Sequence, residues 1–263
     1  MKFIVMPPDL LRKFQARFLR ELFRAPRSGF VLKGGLALNA LYGSSRLTMD
    51  IDLDFPPQGE RTAQSLHGQI MRAIRAALTG LGIREARISE PGKAEVSPKW
   101  KVSGTTPDGG PFNAQVEVSR RPPVPVGATR QHAIRNELAP GLPVFYVDLY
   151  DEATLAAMKL AALISPNRHA ARDIYDLDLL FANGNRPDRD SFRKLMKSRA
   201  ILGASIADEA ERKIDAFTWR DFVSQVQPAL NAAEAERINP DEWTAMKGRV
   251  AAMVHEWLQN LPP

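Results

Sequence analysis

The feature that most constrains the fold is the run from Met49 to Phe55, in which apolar and acidic side chains alternate strictly. Successive side chains of a β-strand point to opposite faces, so Asp50, Asp52 and Asp54 share one face. Three carboxylates on one face repel one another unless a positive charge lies between them. Aspartate is also depleted in strands, so solubility alone does not explain the pattern. The run predicts a strand whose acidic face binds a divalent cation, with an acidic solvent-exposed sheet edge as the alternative.

The residues before this strand predict a phosphate-binding turn. Residues 29–33 predict a short strand, and the pair Gly34-Gly35 allows close backbone approach at the start of a helix over residues 36–42. Free N–H groups and the helix dipole favour an anion at such a start. The turn that follows the helix also has side chains suited to phosphate, although serines are ordinary turn residues. These side chains belong to Ser44, Ser45, Arg46 and Thr48.

In these residues the chain resembles the nucleotidyltransferase superfamily, whose members have a Gly-Gly or Gly-Ser pair before an Asp-x-Asp. Within it the chain is similar to the AbiEii/AbiGii group, the toxin halves of bacterial toxin–antitoxin and phage-defence pairs, which includes the mycobacterial MenT toxins. The matching segments, which together span roughly residues 30–180, are residues 32–38, 46–53, 155–163 and 168–177.

The resemblance implies an Mg²⁺-dependent enzyme that uses a nucleoside triphosphate (NTP). Asp50 and Asp52 are then the catalytic carboxylates that hold two magnesium ions roughly 4 Å apart. The Gly-Gly pair and the following turn bind the nucleotide. A third metal-binding carboxylate usually comes from a neighbouring strand, and the alternating run 115–119 offers Glu117. The alternative for Glu117 is an exposed side chain on a hairpin strand.

The resemblance also assigns roles in a later helical segment. It makes Lys159, in an otherwise apolar helix, a catalytic lysine that binds the triphosphate. A lysine there can instead extend harmlessly to solvent. Asp173 is expected to act in the site, by orienting Lys159 or by accepting the proton of the acceptor hydroxyl. For Arg172 and Asp176, catalysis and helix–helix ion pairing remain equal alternatives.

Composition narrows the class of protein. The chain of 263 residues is 44% apolar and has no apolar run long enough for a membrane span and no signal-peptide pattern. It has no cysteine, and its four histidines lack metal-ligand spacing. We therefore expect a soluble, monomeric protein of the bacterial cytoplasm. The 36 Lys and Arg residues outnumber the 30 Asp and Glu residues, which permits a polyanionic partner such as RNA.

The pattern of elements predicts an α/β (α+β) fold. Residues 1–149 are expected to form a nucleotidyltransferase-like domain with a small mixed sheet and flanking helices, and residues 150–263 a helical domain that completes the active-site cleft. Strands are predicted at 83–89, 95–103, 112–119 and 142–147, with a hairpin turn at 107–111. Further helices are predicted at 8–24, 60–80, 151–164, 168–182, 188–198, 203–213, 217–230 and 240–260.

The function expected from the resemblance is that of a toxin which transfers nucleotides from an NTP to the 3′ acceptor end of tRNA and blocks translation. A cognate antitoxin is then the expected protein partner. Two alternatives remain: nucleotidyl transfer to a protein hydroxyl or a small molecule, and a non-catalytic binding module of the same fold. If RNA is the acceptor, the arginines around a Pro-rich loop next to the Glu117 strand are expected to bind its backbone. These are Arg120, Arg121, Arg130 and Arg135.

Overall fold

The structure, a computed structural model, describes residues 8–24, 28–55, 63–91, 96–120, 129–135, 141–198 and 206–260. The chain divides into two compact units, the first ending at Tyr150 and the second continuing from Asp151 to the C-terminus. In the described ranges, no helix combines the length and the apolar character that crossing a bilayer requires.

A mixed sheet of seven strands forms the centre of the first unit. Its strands are β1 (Val31–Lys33), β2 (Asp50–Asp54), β3 (Arg84–Ser89), β4 (Lys99–Thr105), β5 (Pro111–Ser119), β6 (Thr129–Ile134) and β7 (Phe145–Tyr150). Their order across the sheet is β3-β4-β5-β2-β1-β7-β6. Strand β2 pairs in parallel with β5 and antiparallel with β1. The acidic strand is therefore central and has a neighbour on each side.

Among its described residues, the first unit also has the helices α1 (Pro8–Leu22), α2 (Gly34–Tyr42) and α3 (Ala63–Gly80). Helix α1 packs against α3, and Phe14 meets Phe112 of β5 edge to face, with ring centroids 5.2 Å apart. On β2, Ile51 and Leu53 are fully buried on the same face as Phe112. Burial of each such side chain contributes about 1.5–3 kcal/mol. The sheet thus has one apolar face, and its opposite face is free to carry polar side chains.

The predicted α/β fold with a mixed sheet is confirmed. The hairpin predicted at 107–111 is also confirmed, because β4 and β5 pair antiparallel on either side of it and Gly109 takes the positive φ that the turn requires. Strand β6 was missed, because its side chains are mostly exposed and only Ile134 is buried, so it shows no apolar alternation.

The described residues of the second unit form helices and no strand. The helices are α4 (Glu152–Ile164), α5 (Arg172–Ala182), α6 (Arg189–Ser198), α7 (Ile206–Ala216), α8 (Trp219–Gln225), α9 (Ala232–Arg237) and α10 (Pro240–Gln259), with a 3₁₀ turn at Gln227–Ala229. Their apolar faces meet in one core, where the rings of Phe222 and Trp243 lie 5.1 Å apart.

Side-chain caps set where several of these helices begin. The carboxylate of Asp151 accepts a hydrogen bond from the backbone N–H of Thr154 at 2.8 Å and starts α4. Such a cap contributes about 1 kcal/mol. The helix predicted from residue 168 begins only at Arg172, because residues 165–168 form a turn closed by the N–H of Arg168 on the carbonyl of Ser165. Helix α9 was missed because it buries no residue and shows no apolar period.

Candidate active site

Strand β2 carries two partly exposed carboxylates, Asp50 and Asp52, on the polar face of the sheet. The intervening Ile51 and the following Leu53 are fully buried on the other face, which confirms the alternation predicted for these residues. Met49, which strict alternation would put on the same face as Ile51, is instead 49% exposed and precedes the strand. The acidic face therefore begins at Asp50.

The Gly-Gly pair lies directly beside this face. Gly34 has φ +70° and begins α2, and a β-carbon at this position would clash with the carboxylate oxygen Oδ2 of Asp52. Glycine is required there both for the positive φ and for the close approach. Lys33, the residue before the helix, makes no side-chain cap hydrogen bond, so the first N–H groups of α2 are not capped by it. The carboxylate of Asp52 therefore lies directly next to the first residue of α2.

The second glycine brings part of the predicted phosphate turn to the same helix end. A β-carbon on Gly35 would lie 2.6 Å from Nη2 of Arg46 and 3.1 Å from the side chain of Thr48. Arg46 is almost completely buried there. Ser44 instead supports the turn, because its hydroxyl accepts a hydrogen bond from the backbone N–H of Arg46 at 3.3 Å. Ser45 is partly buried in the same turn.

The third carboxylate of the strand has a different environment. Asp54 is 6% exposed, forms an ion pair with Lys33, and accepts a hydrogen bond from the Tyr150 hydroxyl at 2.8 Å. Burial, with the Asp54 charge adding to it, raises the pKa of Tyr150, so the hydroxyl stays a donor. Asp54 is therefore not solvated. It fixes the far end of β2 to β7 through a buried, charge-assisted contact.

Glu117 lies level with Asp52, because β2 and β5 are in parallel register at these two residues. The next strand places Lys99 opposite Glu117, and its Nζ lies 2.9 Å from Oε2 of the glutamate. The hydrogen bond to Glu117 raises the pKa of Lys99, and the charges of Glu117, Asp50 and Asp52 add to the effect. The carboxylates thus share a face with a lysine that partly neutralises them.

The donor set fits a magnesium ion in part. Within the described residues, no group of three or more His, Asp or Glu side chains is arranged to hold a metal. Glu117 is engaged by Lys99, which leaves Asp50 and Asp52 as adjacent hard oxygen donors on one face. Magnesium is commonly bound by one or two carboxylates together with substrate phosphates and water. The two aspartates meet that requirement.

The remaining predicted residues lie in the second unit, in a buried network of charges. The ammonium of Lys159 lies 2.6 Å from Asp176 and 3.3 Å from Asp173. Asp173 also accepts hydrogen bonds from Arg168, the shorter of them 2.6 Å long. Asp173 and Asp176 are 0% and 1% exposed, and Lys159 is 9% exposed. Two carboxylates and two cations therefore balance, and Lys159 does not simply extend to solvent.

Sequence reasoning missed several residues that contact the carboxylates of the first unit or the buried charges of the second unit. Lys33, Lys99 and Tyr150 contact the carboxylates of the first unit across strands, and Arg168 joins the network of the second unit. Lys33 had a usable signal, since it directly precedes the glycine pair. Arg172, which we had weighed for catalysis or bracing, is exposed at the first turn of α5.

The arginines expected to bind RNA, as far as the structure describes them, do not all lie beside the Glu117 strand. Arg120 follows β5, whereas Arg130 lies on β6, at the edge of the sheet four strands away. Strands are spaced about 4.8 Å apart, which separates the two by roughly 19 Å. Arg121 lies outside the described residues, and Arg135 follows β6.

Two solved structures of other proteins share this fold. JHP933 from Helicobacter pylori matches with a TM-score of 0.58 and 18% identity, covering 97% of this chain and 95% of that one. MenT4, a nucleotidyltransferase toxin from Mycobacterium tuberculosis H37Rv, matches with a TM-score of 0.56 and 20% identity, covering 97% and 94%. The fold is thus one shared with a nucleotidyltransferase toxin.

The sequence itself identifies the family. A profile of the nucleotidyl transferase AbiEii toxins of type IV toxin–antitoxin systems matches residues 17–260, and the chain belongs to this family. The family predicted from the motifs is therefore confirmed. A comparison with curated protein sequences finds no match.

Proposed function

We propose that this toxin is an Mg²⁺-dependent enzyme of the bacterial cytoplasm that transfers nucleotides from an NTP to the 3′ acceptor end of tRNA and so blocks translation. The observation on which the proposal rests is the placement of Asp50 and Asp52 on one face of β2, with Asp52 against Gly34 at the start of α2. Carboxylates for a metal and backbone N–H groups for a phosphate then lie side by side.

The first unit would hold the nucleotide. Asp50 and Asp52 would bind magnesium, which when bound offsets the negative charge of the triphosphate. The N–H groups of α2 point to the same region, and the Arg46 guanidinium beside Gly35 adds positive charge to that helix end. We propose that the start of α2 binds the phosphates and that Ser44 and Ser45 shape the turn rather than contact the ligand.

The transfer itself needs few protein groups. The oxygen of the acceptor hydroxyl attacks the α-phosphorus, the bond from that phosphorus to the bridging oxygen of the β-phosphate breaks, and pyrophosphate leaves with the electron pair. The acceptor proton passes to a neighbouring carboxylate. The protein mainly positions the reactants and stabilises charge, which is the usual division of work in phosphoryl transfer.

We also propose, as the family resemblance implies, that Lys159 is a triphosphate-binding cation. Two contacts support an orienting role for Asp173: its bond to Lys159 and the pair of bonds from Arg168. Asp173 is completely buried and both of its carboxylate oxygens already accept hydrogen bonds from Lys159 or Arg168, so neither oxygen is accessible to a substrate. We therefore propose that Asp173 and Asp176 hold the Lys159 ammonium in place, and that its remaining N–H donor binds the triphosphate.

Transfer of label from α-³²P-labelled NTPs tests the function. The protein would be incubated with magnesium and each of the four NTPs in three separate mixtures, containing total tRNA, total bacterial protein or aminoglycosides. We expect label at the 3′ end of tRNA and none with Asp52→Ala. Label in protein or in an aminoglycoside would instead identify one of those as the acceptor. The absence of label in all three mixtures would contradict catalysis and favour a binding module.

The antitoxin is tested separately. Membership of a type IV toxin–antitoxin family implies such a partner. We propose that it is encoded beside the toxin, and that its co-expression restores the growth of cells that the toxin alone arrests. If growth stays arrested when each adjacent gene is co-expressed, an adjacent antitoxin is excluded.

A further inference from the structure

A cavity of about 560 Å³ lies on the polar face of the sheet and begins at Asp50. Sites for small ligands commonly measure about 300–1,000 Å³. The cavity extends from β2 over β5 and β4 to β3 and belongs entirely to the first unit. We call it the β3–β5 groove. The polar side chains that line it besides Asp50 are Arg87, Ser89, Lys101, Ser103, Asn113 and Gln115.

Strand register shows how the groove continues from the candidate active site. Asp50 is level with Gln115, Gln115 with Lys101, and Lys101 with Ser89. Four side chains on neighbouring strands therefore form one row on one face, which spans roughly 14 Å at a strand spacing of about 4.8 Å. The row begins at a carboxylate that we assign to the metal and ends at the outer strand.

A second row lies two residues further along the strands, with Asn113, Ser103 and Arg87 level with one another. It contains no carboxylate. Asp50 is the one acidic residue among the described residues that line the groove. Arg87 and Lys101 are exposed, and neither forms an ion pair with a described carboxylate. The groove is therefore acidic at the active-site end and positive beyond it.

This chemistry fits a nucleic acid end. Lysine and arginine bind phosphates, and the amides of Asn113 and Gln115 each offer a donor and an acceptor to a base edge. Met49, which is 49% exposed at the edge of the groove, offers an adaptable apolar surface to a base. A bound peptide is anchored mainly by apolar and aromatic side chains in apolar pockets. Of the described residues that line the groove, four are apolar (Met49, Ile88, Val102 and Ala114) and seven are polar or charged. RNA is recognised chiefly where it is single-stranded, because its base edges are then accessible.

We propose that the β3–β5 groove binds the single-stranded 3′ end of the acceptor RNA and leads its terminal hydroxyl toward Asp50. The proposal rests on the function proposed above and extends it, because it separates an acceptor site on β3, β4 and β5 from the nucleotide site at α2. Arg87 and Lys101 contact phosphates, and the two amides contact bases.

The test compares two double variants that remove the same charge. Arg87→Ala with Lys101→Ala alters the groove, whereas Lys13→Ala with Arg75→Ala removes two exposed cations from α1 and α3, outside it. Binding to tRNA, and to the same tRNA trimmed of its unpaired 3′ nucleotides, is measured across a salt titration. NTP affinity and thermal unfolding are recorded for every variant.

For intact tRNA we expect the groove variant to bind severalfold more weakly, and the slope of log affinity against log salt to fall by about 0.7 for each lost phosphate contact. The matched surface variant should keep a steeper slope. For trimmed tRNA the groove variant and wild type should bind alike. A third variant, Asn113→Ala with Gln115→Ala, should bind intact tRNA more weakly at an unchanged salt slope, because amides neutralise no phosphate.

Equal binding of intact tRNA by the folded groove variant and wild type overturns the groove assignment. If wild type still labels tRNA in that case, the proposed function stands and only the acceptor site is wrong. If wild type labels protein or an aminoglycoside and no RNA, the RNA acceptor and the groove proposal fail together.

Discussion

The carboxylates of β2 and those of α5 differ in where their counter-charges lie. Asp50 and Asp52 are partly exposed, and the lysine that offsets them, Lys99, has a side chain that is 48% exposed. Asp173 and Asp176 are completely buried, and both pair with Lys159, whose side chain is 11% exposed. One pair of aspartates thus lies on an accessible face of the sheet, and the other pair is buried among helices.

This difference separates a reactive role from a bracing role. An exposed ion pair contributes about 0–1 kcal/mol, so the chain loses little stability if a ligand replaces one partner. Breaking a buried pair costs about 3–5 kcal/mol, because it leaves a charge without compensation. Substitutions on β2 should therefore change activity and spare the fold, whereas substitutions of the α5 carboxylates should first change the fold.

The largest effect is expected from Asp52→Ala, which should reduce transfer of labelled nucleotide to background. The variant removes a carboxylate that we propose as a metal ligand but also relieves repulsion between carboxylates on one strand, so its thermal unfolding should match or exceed that of wild type. Wild-type turnover with magnesium would show that Asp52 is not a metal ligand. A lowered unfolding temperature would show that Asp52 stabilises the fold, as we expect of the buried carboxylates of α5.

Asp173→Ala should lower the free energy of unfolding by about 3–5 kcal/mol, because it leaves Arg168 and Lys159 with one carboxylate between them. The matched control is Asp190→Ala on α6, whose side chain is 78% exposed and lies 3.8 Å from Arg193. It should change stability by less than about 0.5 kcal/mol. Chemical denaturation of both variants measures the difference, and similar losses would contradict the bracing role.

Lys159→Ala should weaken NTP binding by about tenfold or more, which corresponds to about 1.4 kcal/mol. Lys159→Arg keeps the positive charge and should lose less. NTP titrations are read at a temperature at which both variants are folded, since the alanine also leaves Asp176 without its cation. If KM and kcat are both unchanged in Lys159→Ala, the lysine only braces the helices.

The sequence was informative wherever contacts are local. The alternation on β2 and the glycine pair lie close together in the chain, and both the strand and the start of α2 follow from them. The partners of the carboxylates could not be predicted in the same way. Tyr150 is 96 residues from Asp54, and Lys99 reaches Glu117 only through the pairing of β4 with β5. Pairing of that kind depends on strand order, which no local pattern specifies.

Tyr150→Phe should lower stability by about 1.5 kcal/mol, because Asp54 loses a hydrogen-bond donor in a buried position while keeping Lys33. Tyr146→Phe, on the same strand but 58% exposed, is the matched control and should be nearly neutral. Denaturation midpoints compare the two. Equal midpoints would mean that Asp54 is sufficiently satisfied by Lys33 alone.

Only a small effect on stability is expected from Lys99→Met, because the Lys99–Glu117 pair is partly exposed and contributes at most about 1 kcal/mol. That contribution should be constant at neutral pH. The pKa of Lys99 is raised above its usual 10.5, so the lysine stays charged from neutral pH up to that value, and the contribution of the pair is lost as the pH rises through the raised pKa.

Metal affinity should respond to Lys99→Met more clearly than stability does. The Lys99 ammonium lies on the carboxylate face and occupies Glu117, so it competes with a cation for the same oxygen atoms. Its removal should tighten Mn²⁺ or Mg²⁺ binding in calorimetry without nucleotide, whereas Lys13→Met on α1 should leave it unchanged. Tighter binding that disappears in Lys99→Met with Glu117→Gln would make Glu117 the third ligand. If metal affinity is unchanged in Lys99→Met, Asp50 and Asp52 would be the only metal ligands that β2 and β5 supply. Lys99 would then only form an ion pair with Glu117 and would not affect metal binding.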